Sequence, residues 1–131
     1  MKLIDKNLLD KVTAEAKANA RLRMNYNFHE TLDAPAQRLL NALEPGTVLP
    51  IHRHRHTAET YVLLRGRLNI LFYNEQKQIT ERYELDPQKG VYGVNIPRGQ
   101  WHTIEVLCSG TVIFEVKDGP YSPLAPDDIL E

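Results

Sequence analysis

The stretch IHRHRHTAE, residues 51–59, sets three histidines at every second position, His52, His54 and His56, and follows them with the carboxylate of Glu59. In an extended chain successive side chains point to opposite faces. The three imidazoles would share one face, with Ile51, Arg53 and Arg55 on the other. Histidines two residues apart stand roughly 7 Å apart along a strand, close enough to converge on one ion. Neutral imidazole suits zinc, iron, copper and nickel. The arginines are expected to raise the local positive potential and so help keep the imidazoles neutral. Glu59 has the wrong parity to share the histidine face on a straight strand. A hairpin at 55–58 returns it toward His52 and His54 at the start of an antiparallel neighbour, and leaves His56 in the turn. The ligands expected from this stretch are therefore His52, His54 and Glu59. The competing reading is a solvated edge strand that binds metal only adventitiously.

Outward from this stretch, PRGQWH (residues 97–102) forms a tight turn at Pro97 and Gly99 and delivers His102 to the head of a late strand. A closed barrel lets such a histidine stand beside the early pair. Three imidazoles and one carboxylate make four ligands, which leaves positions open on a metal that accepts five or six. The surrounding chain reads as short strands near 37–43, 48–54, 59–65, 67–74, 78–85, 91–96, 101–107 and 111–117, separated by Gly, Pro and Asn turns. Many strands at short spacing predict an all-β sandwich or barrel over 36–117. Before it, Ile4, Leu8, Val12 and Ala16 recur every fourth residue and predict a helix over 4–19. In RLRMNYNFH (21–29) the period changes to two, which predicts a strand with one polar face. The tail 118–131 carries Pro120, Pro123 and Pro126 and is expected to form no regular element.

The bulk numbers narrow the function classes. A chain of 131 residues favours one domain with one core, here 1–131. A formal net charge of −1 supplies no global basic field for nucleic acid or anionic lipid. No run approaches the roughly 18 apolar residues of a membrane span, and the charged N-terminus lacks a signal-peptide core. The expectation is a soluble cytoplasmic protein without nucleic-acid or membrane partners. A single cysteine, Cys108, excludes an intrachain disulfide and reads as a small packing residue with no nucleophilic role.

Taken together these motifs resemble the cupin superfamily. Gly46, five residues, His52, one residue, His54, four residues, Glu59, six residues and Gly66 match the first cupin motif throughout. Of the second motif, Pro97, Gly99 and His102 match, whereas Gly90 lies one residue early and Val106 replaces the final Asn. The whole chain is similar to the WbuC-family cupin fold metalloproteins. The resemblance rests on RLRMNYNFHE (21–30), QRLLNALEPGT (37–47), PRGQWHT (97–103) and FEVKDGPYSP (114–123). It implies a double-stranded β-helix (jelly-roll) fold, one bound divalent metal (zinc, iron, nickel or manganese) and a setting in bacterial O-antigen or other surface polysaccharide biosynthesis. The exposed sheet of such folds often pairs, so a homodimer is expected.

The polar face of residues 21–29 reads either as a solvent-facing edge strand or as a strand across the barrel mouth; in the second reading Asn27 is a substrate contact and His29 the base, both within about 8 Å of the ion. Arg38 is a further substrate-binding candidate, suited to an anion or else pointing outward. Tyr61, Trp101 and Phe114 are candidate pocket walls or core, and Glu115 and Lys117 a surface pair. The leading functional expectation is a metal-dependent enzyme, an isomerase or oxygenase, acting on a sugar or other small polar metabolite. The alternative is a metal-dependent sugar-binding or sensing module without turnover. A metal-free, epimerase-like cupin using His52 as acid or base is disfavoured, because all four ligand positions hold good ligands.

Overall fold

Two five-stranded antiparallel sheets and one helix account for nearly all of the regular structure in a computed structural model that describes residues 1–131. The helix α1 spans Lys6–Ala18. Asp5 caps it by accepting from the Leu8 N–H, and Asn19 ends it in an extended conformation. It is thus shorter at both ends than the apolar period suggested. Its buried side, Val12 and Ala16, packs on Leu40, Ala42 and Val112.

The strands follow as β1 (Arg23–Asn27), β2 (Ala36–Leu43), β3 (Ile51–His52), β4 (Glu59–Arg65), β5 (Leu68–Tyr73), β6 (Ile79–Leu85), β7 (Gly93–Ile96), β8 (Trp101–Val106), β9 (Thr111–Asp118) and β10 (Ile129–Leu130). One sheet has the order β1-β2-β9-β4-β7, the other β10-β3-β8-β5-β6. The expected all-β body over 36–117 is present, interrupted only by a 3-10 turn at Pro87–Lys89. The helix covers the outer face of the first sheet, and the inner faces of both sheets enclose a core that includes Leu43, Leu63, Ile70, Ile104 and Ile113.

Register places the site. Residues directly opposite in an antiparallel ladder share a face. On the inner face of the first sheet, three rows cross β2, β9 and β4: Asn41–Ile113–Leu63, Leu39–Glu115–Tyr61 and Gln37–Lys117–Glu59. On the second sheet the inner rows run from Val106–Leu68 through Ile104–Ile70 to His102–Phe72, with His52 opposite His102 on β3. Both inner faces therefore pass from apolar to polar toward the same end of the barrel.

The ends of several elements depart from the sequence reading. The strand expected over 48–54 shrinks to β3, because Pro50 has no N–H to give a ladder and the backbone beyond His52 bonds elsewhere. There the Arg53 N–H donates to the Asp128 carbonyl, and the His54 carbonyl accepts from Gly99 N–H. The tail is not irregular throughout. It ends in a 3-10 turn, Pro126–Asp128, and β10, which pairs with β3 at Ile129–His52 and Leu130–Ile51. The open edge of β3 gives that two-residue apolar segment its partner. The strand expected over 21–29 covers only Arg23–Asn27, since Leu22 adopts positive φ and the His29 imidazole takes the Arg38 N–H.

Gly66, which closes the first motif, has φ +93°, and a Cβ there would stand 2.6 Å from the Thr111 Cα. Replacing it with alanine combines a left-handed conformation with a backbone overlap. Gly66→Ala is expected to cost about 2–4 kcal/mol of stability. Urea unfolding checks this, and an unchanged midpoint would show that the β4–β9 packing gives way without loss.

Candidate functional site

The polar rows of the two sheets meet at one cluster. His52 and His102 lie opposite each other on β3 and β8, with ring centroids 4.3 Å apart. Glu59 reaches them from β4 in the other sheet, its Oε2 3.3 Å from His102 Nε2. All three side chains are buried, and their ligand atoms lie within 4.8 Å of one another, a group able to hold a metal ion. His54, in the loop after β3, stands at the other carboxylate oxygen, its Nε2 3.1 Å from Oε1. His56 is exposed in the bend beyond, outside the cluster.

The hydrogen bonds around the rings select the tautomers. His52 Nδ1 lies 2.9 Å from the Pro50 carbonyl, and His102 Nδ1 2.9 Å from the Gln100 carbonyl. A carbonyl oxygen only accepts, so each Nδ1 carries a hydrogen, and a ring in its neutral form then presents a bare Nε2 lone pair. Metal-binding histidines are oriented in this way. His102 Nε2 is fully buried and makes no aligned hydrogen bond despite its closeness to Glu59. A lone pair facing a carboxylate is repulsive. An imidazolium proton or a cation shared between them removes that repulsion, so the donor set fits a divalent ion.

Electrostatics agree. Burial, reinforced by the neighbouring His102, pushes the His52 pKa down to about 4, so the ring is neutral at pH 7. Burial alone would raise the Glu59 carboxyl, but a proton or positive charge at the His102 and His54 ring nitrogens outweighs it and holds Glu59 well below the usual carboxylate range. Tyr61 is a phenol that burial, with Glu59 beside it, keeps protonated, and its hydroxyl donates to Glu59 Oε2 at 3.1 Å. The Lys117 ammonium is 3.9 Å from Oε1. Glu115, one row deeper, is buried; burial and the nearby Glu59 raise its carboxyl, and Asn41 Nδ2 donates to it at 3.1 Å. Glu115 and Lys117 are thus not a surface pair. Their parity on β9 puts them with Ile113 on the inner face, while Val112 and Phe114 face the helix.

The remaining expected site residues lie elsewhere. Asn27 shares the inner face of its sheet through the row Asn27–Leu39–Glu115–Tyr61, but β2 and β9 separate β1 from β4. Three strand intervals come to roughly 14 Å. His29 is buried beyond the end of β1, its Nδ1 accepting from the Arg38 N–H, beside a shallow depression shared with Phe28, Glu30 and Pro35. Arg38 is exposed on the face of β2 opposite to Gln37 and Leu39, so its side chain points away from Glu59. These three residues form no group with the histidine cluster. Nor do the arginines of the histidine stretch present a bare cationic face. Arg53 and Arg55 both bond Asp128 of the tail, and Arg53 lies over Trp101, 4.4 Å from the ring centroid. Beside His54 and Lys117 opens a cleft of about 270 Å³ whose walls include Arg53, Arg55, His56, Ser122 and Asp128.

Known proteins agree with this architecture. A family model described as "Domain of unknown function (DUF6016)" matches residues 4–85. No curated protein matches the chain. Among solved structures, the capsular polysaccharide assembling protein CapF from Staphylococcus aureus superposes with a TM-score of 0.64 at 24% identity, over 82% of this chain and 32% of CapF. The chain therefore spans about a third of CapF's length. KdgF from Halomonas sp. gives a TM-score of 0.60 at 14% identity, over 76% of this chain and 82% of KdgF. The Cnp3 cupin domain of Schizosaccharomyces pombe gives 0.58 at 9% identity, over 73% and 64% of the two chains. At such identities the likeness is one of fold, and it is the cupin jelly roll.

Replacing His102 removes a buried ligand atom that has no other partner. His102→Ala is expected to reduce zinc retention sharply, and His54→Ala to reduce it as well, whereas His56→Ala keeps it near wild type. Metal content of the three dialysed variants is the check; a loss in His56→Ala as large as in His102→Ala would show that the cluster is misassigned.

Proposed function

The chain belongs to the family of the domain of unknown function DUF6016, and from its buried His–Glu–His cluster we propose a metal-dependent cupin of the WbuC kind that acts on a sugar or sugar derivative. In this reading residues 1–131 work as one cupin domain, and His52, His54, Glu59 and His102 hold one divalent ion, zinc, iron, nickel or manganese. The single observation that carries it is the His102 Nε2 atom, buried and left without a hydrogen bond 3.3 Å from a Glu59 carboxylate oxygen, while its Nδ1 is held by the Gln100 carbonyl. When bound, the ion would polarise a substrate carbonyl or hydroxyl oxygen. The chain's own contribution is to orient and shield. The Pro50 and Gln100 carbonyls fix the two rings, Tyr61 fixes one carboxylate oxygen, and the apolar rows below the cluster keep water out.

Two observations support a sugar. The cleft beside His54 sets polar side chains (Arg53, Arg55, His56, Ser122) beside the apolar surface of Pro120, Pro123 and Leu124, a mixture suited to the hydroxyl groups and C–H faces of a sugar. The fold is also shared with CapF, a capsular polysaccharide assembling protein. Both favour a role in bacterial surface polysaccharide, including O-antigen, over one on apolar metabolites. A second reading, sugar binding without turnover, has its own support. The ionisable neighbours of the cluster are already engaged, Lys117 with Glu59 and Glu115 with Asn41, and His29 lies apart, so no unengaged base stands at the cluster.

Protein purified without an affinity tag is expected to carry about one divalent ion per chain. Added zinc at about 100 times its Kd should stabilise stripped protein by about 2.7 kcal/mol, read as a higher Tm. A screen of nucleotide sugars and sugar phosphates on the loaded protein then separates the readings: turnover selects the enzyme, saturable binding alone the module. Stripped protein whose Tm ignores every divalent metal would overturn the proposal.

A further inference from the structure

We propose that the ligand of the cleft beside His54 carries an anionic group, a carboxylate or a phosphate, which is gripped by Arg55, His56 and Lys117. Nine of the 13 residues lining this cleft have polar or charged side chains, so a ligand there meets hydrogen-bonding groups beside the apolar surface of Pro120, Pro123 and Leu124. The volume, about 270 Å³, lies just below the common range for ligand pockets, about 300–1,000 Å³, and suits something the size of one monosaccharide.

Charge then selects among polar ligands. Arg53, Arg55 and Lys117 line the cleft with Asp118 and Asp128, and Asp127 and Glu59 stand just outside it, so a ligand anion meets only those cationic edges that the carboxylates leave unbonded. Asp128 Oδ1 accepts from the Nε atoms of both arginines. Arg55 is more exposed than Arg53 and makes its other acidic contact only at 3.9 Å, from its NH2 to Asp127. That leaves the outer edge of its guanidinium for a ligand, with the planar fork that carboxylates and phosphates fit. Lys117 has a single acidic partner, Glu59 Oε1 at 3.9 Å, and so has donors to spare. The His56 imidazole and the Ser122 hydroxyl add donors on the same walls.

The cleft is also continuous with the cluster. His54 and Lys117 both line it, and both touch Glu59. An anion held at Arg55 therefore leaves the rest of a sugar-sized molecule pointing at His54 and the carboxylate behind it. The proposal rests on the metal reading only for what happens at that far end. The grip on the anion belongs to the chain's own cations and persists in stripped protein.

The test uses the full chain, stripped of metal and separately loaded with zinc, with metal content measured on each sample. Glucose 6-phosphate, glucuronate and glucose are titrated while backbone and side-chain NMR shifts are followed. At least one anion is expected to bind about tenfold or more tighter than glucose, in stripped as well as loaded protein, and to weaken with added NaCl. Shifts should centre on Arg55, His56 and Lys117. Both anions binding, or only one, supports the proposal and tells a shared anion grip from a phosphate or carboxylate preference. Arg55→Gln should lower the anion affinity about tenfold and leave the glucose affinity unchanged. Since that change also disturbs Asp128, Lys117→Gln serves as an independent variant with the same expected direction. Glucose binding as tightly as both anions, or no ligand shifting these residues, would overturn the proposal. Failure to retain zinc with anion binding intact would instead count against the metal reading alone.

Discussion

A single buried carboxylate, that of Glu59, sets the terms for one end of this molecule. An ionised carboxyl removed from water costs several kcal/mol unless partners meet both of its oxygens. Here Tyr61 donates to Oε2, His54 and Lys117 stand 3.1 and 3.9 Å from Oε1, and His102 faces Oε2 at 3.3 Å without an aligned hydrogen bond, the gap that a cation or an imidazolium proton would bridge. These four groups come from the loop after β3 and from β4, β8 and β9, so the carboxylate is stable only when both sheets close in the observed register. A shift of one residue in β9 would turn Lys117 outward and bring Val116 onto the charge.

The rest of the barrel follows from the same demand. Polar rows gather at one end, Glu59–Lys117–Gln37 on one sheet and His52–His102 on the other, while Leu63–Ile113 and Ile70–Ile104 supply the apolar floor that holds the sheets together. The tail belongs to this end too. Strand β10 extends the sheet alongside His52, and Asp128 ties down both arginines that flank His54. The short histidine segment is thereby held on both sides, by β8 within the barrel and by β10 at its edge, which is how two residues of regular strand suffice to position it.

Much of this was legible from residue order. The motif spacing from Gly46 to Gly66, together with Pro97, Gly99 and His102, pointed to the jelly roll, and alternation with turn signals placed most strands within a few residues. The meeting of His52, Glu59 and His102 was legible because each sits beside a turn whose chemistry is local. What escaped the sequence depended on which way a strand faces when both faces are mixed. In TVIFEVKD, Glu115 and Lys117 alternate with Phe114 and Val116, and nothing local says that the helix covers the apolar pair while the barrel takes the charged one. Arg38 raised the same problem. Asn27 and His29 raised another: the polar face of β1 is real, but strand order sets β1 three intervals from β4, and order across a sheet is not a local property.

Everything proposed for this end of the barrel turns on His52, His102 and Glu59, with His54 beside them, converging on one metal ion. X-ray absorption at the metal edge, on zinc-loaded protein without an affinity tag, addresses it most directly. A first shell of nitrogen and oxygen at about 2.0–2.2 Å is expected, with outer-shell imidazole scattering that falls, together with zinc content, in His102→Ala. A shell of oxygen alone, with no imidazole scattering and no change in that variant, would contradict it.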